Sequence, residues 1–343
     1  MVSDERAMEP VAVVGGGAWG TALAIHLARL GRTVRLRVHD AELAQRMLAS
    51  RHNPVYLPGV SFPEGVLPVH RLDEALEGAR MVVAAVPSQF ARQTYGEMAE
   101  ALDSEAWLVL ATKGIEENTL ALPVQVVEDV LGREVKCAIL SGPSFAQEVV
   151  LGMPTTAVVA ARSQSLAGQA QEGISGGRLR LYTNRDVIGV QLAGALKNVI
   201  AIAAGILDGL GMGQNTLAAL MTRGLAEMTR LGLAMGGSSS TFSGLAGMGD
   251  LVATCTGRLS RNRRVGQALG RGEGLPDVLA RSRSVAEGVR TTRSARELGS
   301  RAGVEMPIVE EMYRILYEDS SPREAVARLM GRPLTAEDDD RTE

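Results

Sequence analysis

Two patterns of apolar residues divide the chain. From Pro10 to about Asp186, short apolar runs alternate with segments of helix length; the runs are VAVV, TVRLRV, MVVAAV, WLVLAT, KCAIL, TTAVVA and LRLYT. Continuous apolar runs of this length are typical of parallel strands that helices cover on both faces. The pattern therefore predicts an α/β domain with a mostly parallel sheet over residues 9–187.

The second half has a different pattern. From Val187 onward no run is typical of a strand, and Ala, Leu, Met and Gly recur at helical spacing with breaks at DGLGMG, GGSSS and GRGEGLP. This predicts an all-α domain over residues 188–334. Its longest apolar run, residues 188–207, contains Gln191, Lys197 and Asn198, so it is predicted to be a buried helix and not a membrane span. Residues 1–8 and the acidic residues 335–343 are predicted to be solvated tails.

Composition narrows the class of protein. A chain of 343 residues is long for one core and fits two domains. Aromatic residues make up only 3% and the formal net charge is −3, which argues against binding to nucleic acid. Cys137 and Cys255 form neither a C-x-x-C pair nor a disulfide framework, and the first ten residues contain no apolar signal core. We therefore expect a cytoplasmic protein that is not integral to a membrane.

A glycine-rich turn directly follows the first predicted strand. In VAVVGGGAWGTALAIHLARLG, Gly15, Gly17 and Gly20 form G-x-G-x-x-G at the start of a helix. The first glycine permits the tight turn, the second lets a pyrophosphate approach the backbone, and the third allows close packing of the helix. The N–H groups at the helix start then face the phosphates. A tight turn without a ligand is the alternative, but the strand–turn–helix context favours a Rossmann-type dinucleotide site.

The end of the second predicted strand bears on which dinucleotide binds. The stretch TVRLRVHD has no acid at the strand end, where NAD-binding proteins hold the ribose 2′-hydroxyl; Asp40, the nearest acid, could simply cap the next helix. Arg37 or His39 could accept the 2′-phosphate of NADP, although each could equally be a solvated side chain. We predict that NADP and NAD are both used, with a bias toward NADPH.

Three further predicted strands end in polar residues. One ends at Pro87-Ser88, one at Thr112-Lys113-Gly114, and one at SGPSFAQE, which contains Gly142, Ser144 and Ala146. Each alone is as typical of an ordinary loop as of a site. Because ligands of open α/β sheets bind beyond the carboxyl ends of the strands, the three together predict a site at this edge.

Lys197 is a lysine in a chain that otherwise uses arginine almost throughout. Its neighbours one helical turn away are Ala193, Gly194, Ile200 and Ala201, so no local ion pair accounts for its charge. One interpretation is that its ammonium reaches solvent from a buried helix. The other is that the site needs an exchangeable proton, since the pKa of a buried lysine can fall toward neutrality whereas arginine stays protonated. The second interpretation, a lysine with an exchangeable proton, applies equally to Lys113 at the predicted cofactor edge.

A basic helix start follows Asp250 in GMGDLVATCTGRLSRNRRVGQALG. Ser260 is a predicted N-cap, and Arg261, Asn262, Arg263 and Arg264 form the first turn. Basic residues there oppose the helix dipole unless an anion is bound, so the stretch predicts a phosphate site, with a solvated basic face as the alternative. Asp250 could orient a lysine or a substrate hydroxyl.

Nine stretches together carry a specific resemblance: GGGAWGTALA, VPS, ATKG, SGPSFAQE, GVQLAGALKNVIAIAAG, TRGLAEMTRLG, GMGDLVATCTGRLSRNRR, VAEGVRTT and GVEMPI. Through them the chain resembles the bacterial NAD(P)-dependent glycerol-3-phosphate dehydrogenases over almost its whole length. The resemblance implies an N-terminal Rossmann-type domain, a C-terminal helical substrate domain and a homodimer. It also implies interconversion of dihydroxyacetone phosphate and sn-glycerol 3-phosphate, which feeds phospholipid synthesis.

The resemblance implies roles for individual residues. Lys197 matches the family's proton-donating and proton-accepting lysine, and Lys113 matches a lysine that contacts both cofactor and substrate. The remaining implied substrate contacts are Gly142, Ser144, Asp250, Ser260, Arg261 and Asn262, and the remaining implied cofactor contacts are Ala18, Trp19, His39, Ala146, Arg261, Val285 and Glu287. Arg37 stands where an aromatic residue is common in the family, and no metal site is predicted.

Two other functions stay open from the sequence alone. One is a different two-domain reductase, acting on β-hydroxyacids or ketopantoate, although such enzymes lack the SRNRR phosphate site after GDL. The other is a non-catalytic dinucleotide-sensing module, which would need the glycine-rich turn but not Lys197.

Overall fold

The computed structural model describes residues 9–132, 134–281, 286–334 and 336–337. Within these residues the N-terminal part contains ten strands: β1 (Val11–Val14), β2 (Val34–Arg37), β3 (His52–Asn53), β4 (Leu57–Ser61), β5 (Val66–Val69), β6 (Met81–Ala84), β7 (Trp107–Leu110), β8 (Cys137–Ser141), β9 (Thr155–Ala160) and β10 (Leu179–Asn184). Its helices are α1 (Ala18–Arg29), α2 (Ala41–Ser50), α3 (Leu72–Leu76), α4 (Ser88–Met98), α5 (Pro123–Leu131), α6 (Ala146–Val150) and α7 (Gln164–Ile174). We call this part the sheet domain.

Eight of these strands form one twisted sheet in the order β10-β9-β8-β7-β6-β1-β2-β5. Neighbouring strands are parallel except β8 and β9, which are antiparallel. The chain runs outward from β1 to β2 and β5, then returns to β6 on the other side of β1. Val14 at the end of β1 is level with Arg37 of β2 and Ala84 of β6, so the turns after these strands meet where the strand order reverses.

Each of the seven predicted strand runs forms a strand, which confirms a mostly parallel α/β sheet. The sequence pattern did not predict β5 or the hairpin of β3 and β4. Pro68 interrupts the apolar run of β5, and a proline is tolerated there because β5 lies at the sheet edge. The reversed direction of β9 was also missed, since an apolar run does not record which way a strand points.

The helical domain follows without any strand among its described residues. It contains α8 (Val187–Gly209), α9 (Gln214–Ala234), α10 (Ser239–Ser243), a π-helix (Leu245–Gly249), α11 (Asp250–Thr256), α12 (Arg261–Gly270), α13 (Leu275–Ala280), α14 (Glu287–Arg301), α15 (Pro307–Tyr317) and α16 (Pro322–Met330). These helices confirm the predicted all-α second half. The boundary between the two domains, placed between residues 187 and 188, stays a prediction.

The central helix of this domain is α8, against which α9, α11, α12 and α14 pack. Two glycines allow α8 and α12 to touch through their backbones. A Cβ atom on Gly205 would lie 2.0 Å from the Arg263 carbonyl oxygen, and one on Gly266 would lie 2.0 Å from the Ile202 carbonyl oxygen. This contact fixes the start of α12 beside the C-terminal half of α8, just after Lys197.

By length and composition α8 could cross a membrane, but 94% of its most apolar 18-residue stretch is buried inside the protein. This burial is typical of the core helix of a globular protein. The predicted tail at residues 1–8 and the predicted cofactor residue Val285 lie outside the described residues, as does the tail at 335–343 apart from residues 336 and 337.

Candidate active site

The glycine-rich turn after β1 has the geometry that its sequence predicts. Gly15 has a φ of +121°, and a Cβ atom on it would lie 2.5 Å from the Ala85 carbonyl oxygen. A Cβ atom on Gly20 would lie 1.9 Å from the Gly15 carbonyl oxygen, so α1 packs directly on the turn. In contrast, a Cβ atom on Gly17 would face open space, and Gly17 is the N-cap of α1. The turn therefore leaves an open approach to the start of α1.

The start of α1 suits a dinucleotide pyrophosphate. Gly17 supplies no side-chain cap, so no cap side chain satisfies the N–H groups of the first turn. Ala18 and Trp19 are the first two residues of the helix, and the Trp19 indole Nε1 is buried without a hydrogen-bond partner. A buried donor without a partner is costly, and a ligand acceptor at this position would satisfy it. The residues present therefore fit a bound dinucleotide.

The end of β2 places its three candidate residues differently. Asp40 caps α2 by accepting a hydrogen bond from the Leu43 N–H at 2.9 Å, and His39 is exposed. Arg37 is buried, its Nη2 lies 3.5 Å from Glu97 Oε2 of α4, and its Nε has no partner. Burial lowers the pKa of Arg37, while the Glu97 carboxylate raises it. The cap on α2 is thus an established role for Asp40, and Glu97 is a neighbour of Arg37 that the sequence did not reveal.

One buried carboxylate joins the two candidate lysines. Asp250, the first residue of α11, accepts hydrogen bonds from Lys197 Nζ at 2.6 Å and from Lys113 Nζ at 2.8 Å. Lys197 is 6% exposed, so the interpretation in which its ammonium reaches solvent is wrong. The π-helix directly precedes Asp250, and such segments are frequent at functional sites. Asp250, which is 53 residues away in the sequence, therefore compensates the charge of Lys197, which no neighbouring residue on α8 can do.

The electrostatics of this cluster favour a titratable lysine. Burial lowers the pKa of Lys197 to about 8, because desolvation and the Lys113 ammonium outweigh the Asp250 carboxylate. Burial would raise the pKa of Asp250, but the two ammonium groups hold it below its ordinary value. Asp250 is thus ionised at neutral pH, and Lys197 can gain or lose a proton near neutrality.

Thr254 completes the surroundings of Lys197 and was missed in the sequence. Its Oγ1 accepts a hydrogen bond from Lys197 Nζ at 3.0 Å and donates one to the Asp250 carbonyl oxygen at 2.6 Å. Thr254 lies four residues after Asp250, on the same face of α11. That spacing was the available signal, but it carries no information until Asp250 is known to face Lys197.

The turns that follow β6, β7 and β8 also meet around Lys113. Thr112 Oγ1 donates to the Val86 carbonyl oxygen at 2.8 Å, which ties the turn of Lys113 to the turn of Ser88. Lys113 Nζ also donates to the Gly142 carbonyl oxygen at 3.1 Å, and Ser144 Oγ donates to the same oxygen at 3.0 Å. Ala146 begins α6 just beyond. The three predicted strand ends therefore contribute to one edge.

The predicted phosphate-binding turn lies at the start of α12. Ser260 is its N-cap, with Oγ accepting from the Arg263 N–H at 3.2 Å, and Arg261 is exposed. Asn262 is buried, and its Nδ2 donates to Asn198 Oδ1 at 2.9 Å. Because Asn198 follows Lys197 on α8, this bond holds the first turn of α12 next to Lys197.

Glu287, an implied cofactor residue, contacts the sheet domain directly. Its carboxylate accepts the Ser88 N–H at 3.1 Å and the Ser88 Oγ hydroxyl at 2.6 Å. Burial raises the pKa of Glu287, while Ser88 and the Arg261 guanidinium lower it. The helical domain thus reaches the turn after β6 through Glu287, just as it reaches the turn after β7 through the bond of Asp250 to Lys113.

Comparisons with known proteins identify the family. The N-terminal and C-terminal models of NAD-dependent glycerol-3-phosphate dehydrogenase match residues 10–167 and 186–327. The chain is 52% identical over 331 residues to the glycerol-3-phosphate dehydrogenase (NAD(P)+) of Citrifermentans bemidjiense, covering 96% of this chain and 99% of that protein. It is 49% identical over 334 residues to the protein of that name from Koribacter versatilis, with coverages of 96% and 99%.

A solved structure agrees with these relatives. The crystal structure of glycerol-3-phosphate dehydrogenase from Coxiella burnetii superimposes with a TM-score of 0.92 at 40% identity, covering 95% of this chain and 99% of that one. The predicted fold class and the resemblance stated from the sequence motifs are both confirmed. The chain belongs to the NAD-dependent glycerol-3-phosphate dehydrogenase family.

Proposed function

We propose that this chain catalyses the reversible, NAD(P)H-dependent reduction of dihydroxyacetone phosphate to sn-glycerol 3-phosphate. Two relatives that are about 50% identical to this chain are named glycerol-3-phosphate dehydrogenase (NAD(P)+), and the match covers nearly their whole length. The observation that carries the proposal is the bridge from Asp250 to the ammonium groups of Lys113 and Lys197. A ketone reductase needs such a proton donor at the carbonyl oxygen.

The glycine-rich turn and the start of α1 hold the dinucleotide in this proposal. Gly15, Gly17 and Gly20 form the turn, with further contacts from the implied set Ala18, Trp19, His39, Lys113, Ala146, Arg261, Val285 and Glu287. When bound, the reduced nicotinamide supplies the hydride for the carbonyl carbon. The protein holds the substrate next to it and excludes water.

Lys197 supplies the proton. Its Nζ donates a proton to the carbonyl oxygen of the substrate as negative charge develops there, and Lys113 stabilises that charge. Asp250 and Thr254 hold the Lys197 ammonium in one position. In the oxidation of glycerol 3-phosphate, neutral Lys197 accepts the proton from the hydroxyl group.

The start of α12 binds the phosphate of the substrate. The first-turn N–H groups and the guanidinium of Arg261 suit a phosphate dianion. Ser260, Asn262, Gly142 and Ser144 complete the proposed substrate contacts. A requirement for phosphate separates this reaction from reduction of unphosphorylated 2-keto acids and of ketopantoate, which the comparisons do not favour.

The preference between the two cofactors is proposed to lean toward NADPH. The end of β2 carries no carboxylate of its own, and Asp40, the nearest acid along the chain, caps α2. Arg37 remains the proposed partner of that phosphate, and Glu97 at 3.5 Å competes for its guanidinium. NADH should still be accepted, because none of the described residues of the proposed pocket penalises a ligand without the phosphate.

The remaining proposals concern the setting of the enzyme. We propose a cytoplasmic homodimer that supplies glycerophospholipid synthesis and binds neither nucleic acid nor membrane. Both cysteines are buried and free, which fits a reducing compartment.

One experiment tests the reaction. Oxidation of NADPH and of NADH is followed by absorbance with dihydroxyacetone phosphate, unphosphorylated dihydroxyacetone and ketopantoate as substrates. Turnover should require dihydroxyacetone phosphate. Equal turnover of the two dihydroxyacetone forms would contradict phosphate binding, turnover of ketopantoate would favour the other reductase, and cofactor binding without turnover would favour a sensing module.

A further inference from the structure

A hydrogen-bonded pair crosses between the two domains at the start of α4. Ser88 is the first residue of α4, and no side chain of its N-cap Pro87 bonds to the helix. Glu287, 199 residues away on α14, accepts both the Ser88 backbone N–H and the Ser88 hydroxyl. A carboxylate at a helix start satisfies N–H groups that lack a helical partner and is favoured by the helix dipole. The helical domain thus supplies the cap of a helix in the sheet domain.

This pair packs against the turn that carries Lys113. A Cβ atom on Gly114 would lie 2.5 Å from Ser88 Oγ and 3.3 Å from Glu287 Oε2. The glycine after Lys113 therefore permits the contact between the three segments. Glu287 is also close enough to Arg261 for their charges to interact.

The start of α14 continues the contact toward Lys197. The Gly288 N–H donates to Asn262 Oδ1 at 3.0 Å, and Asn262 bonds in turn to Asn198. A Cβ atom on Gly288 would lie 2.5 Å from the Asn198 carbonyl oxygen, so α14 begins directly against α8. A chain of hydrogen bonds thus runs from the Ser88 turn to the residue after Lys197.

We propose that Ser88 is a positioning residue, whose hydroxyl fixes the Glu287 carboxylate and the start of α14 in the geometry that binds the dinucleotide. This inference rests on the proposed function, in which Glu287 contacts the cofactor. Ser88 itself acts through Glu287 and needs no contact with the reacting atoms. Without the hydroxyl, the carboxylate loses one of its two hydrogen bonds to Ser88 and gains rotational freedom.

The loss should appear in binding more than in turnover. Ser88→Ala should raise the Kd for NADPH by about 10-fold, the effect of one hydrogen bond to a charged group, and leave kcat at saturating cofactor within about 2-fold. Ser88→Thr, which keeps a hydroxyl, should restore the Kd to within about 2-fold of the wild-type value. Ser163→Ala is the control, because Ser163 caps α7 of the same domain away from the site.

A pH profile separates positioning from a general loss of structure. Ser88, Arg261 and Arg290 each lower the pKa of Glu287, which burial raises. Removal of the Ser88 hydroxyl should therefore raise that pKa further, so that Glu287 becomes protonated at a higher pH. The part of the acidic limb of NADPH binding that Glu287 causes should move to higher pH in Ser88→Ala and should be lost in Glu287→Gln, whereas the part caused by the 2′-phosphate of NADPH should stay in both variants.

A double-mutant cycle completes the test. NADPH binding is measured by quenching of protein fluorescence for Ser88→Ala, Glu287→Gln and the double variant, after circular dichroism establishes that each is folded. The double variant should bind NADPH no more weakly than Glu287→Gln. Additive effects, an unchanged Kd in Ser88→Ala, or an equal loss in Ser88→Thr would each overturn the proposal. A wild type that binds NADPH but does not reduce dihydroxyacetone phosphate would contradict the proposed function alone, since the binding measurements still report on Ser88.

Discussion

The pH dependence of ketone reduction should follow the proton on Lys197. With a pKa of about 8, the enzyme carries this proton at neutral pH and loses it as the solution becomes alkaline. About a tenth of the molecules keep the proton at one pH unit above the pKa, and about a hundredth keep it at two pH units above. The kcat/KM for dihydroxyacetone phosphate at saturating NADPH should therefore fall about 100-fold between about pH 7 and about pH 10. Oxidation of glycerol 3-phosphate needs neutral Lys197, so its kcat/KM should rise over the same range.

Asp250→Asn tests whether the alkaline limb of the pH profile, the fall of kcat/KM for reduction with rising pH, reports the proton on Lys197. The Asp250 carboxylate raises the pKa of Lys197 against burial and against the Lys113 ammonium. Its removal should lower that pKa, so the alkaline fall in reduction should begin at a lower pH. Lys136→Met is a matched control, since Lys136 is an exposed lysine paired with Glu105 and should leave the profile unchanged.

The assay is initial-rate NADPH oxidation across the pH range, with circular dichroism at each end of the range to establish that the variants stay folded. An alkaline limb at the same pH in wild type and Asp250→Asn would refute the assignment. So would a fall with rising pH in both directions of the reaction, because one proton cannot be required by both.

The remaining predictions test individual parts of the site and fold. Lys197→Met should bind cofactor normally but lose at least about 10²-fold in turnover, and Lys197→Arg should also fail because arginine does not release its proton; near-normal turnover of either folded variant would contradict this. Arg261→Ala should weaken binding of dihydroxyacetone phosphate by about 1.5–3 kcal/mol, measured as KM, with no such loss if Arg261 is only a solvated charge. Arg37→Ala should lower kcat/KM with NADPH and change little with NADH, whereas equal effects would exclude a 2′-phosphate contact. Burial raises the pKa of Glu227 from 4.5 to about 7, so this group stabilises the fold at low pH and loses that effect as pH rises through this range. Denaturant titrations should show Glu227→Gln gaining about 3 kcal/mol relative to wild type between about pH 4.5 and about pH 7.5, and a constant difference would contradict the shift.

Local sequence signals predicted the parts of the fold that local physics determines. The glycines of the first turn, the apolar strands and the N-cap Ser260 each depend on neighbours within a few residues, and each lies where it was predicted. The direction of β9 depends on how the chain crosses the sheet. No pattern within the strand records that crossing, so the antiparallel pair with β8 could not be predicted.

The site was predicted as a set of residues but not as a set of contacts. Lys113, Lys197 and Asp250 were each singled out, yet Asp250 lies 137 and 53 residues from the two lysines. A pairing over such distances is created by the packing of α8 and α11 and by the strand order of the sheet. The same reason hides Thr254 and the contact of Ser88 with Glu287.

The packing also accounts for the choice of lysine at residue 197. Elsewhere the ion pairs of this chain are mostly exposed and use arginine, which holds its proton at any physiological pH. At residue 197 the ammonium is buried, and burial favours loss of the proton. Asp250 opposes that loss without cancelling it, so the proton stays bound near neutrality and can still be released. An arginine in this place would be held by Asp250 as a permanent ion pair, and could stabilise an anion but not exchange a proton with it.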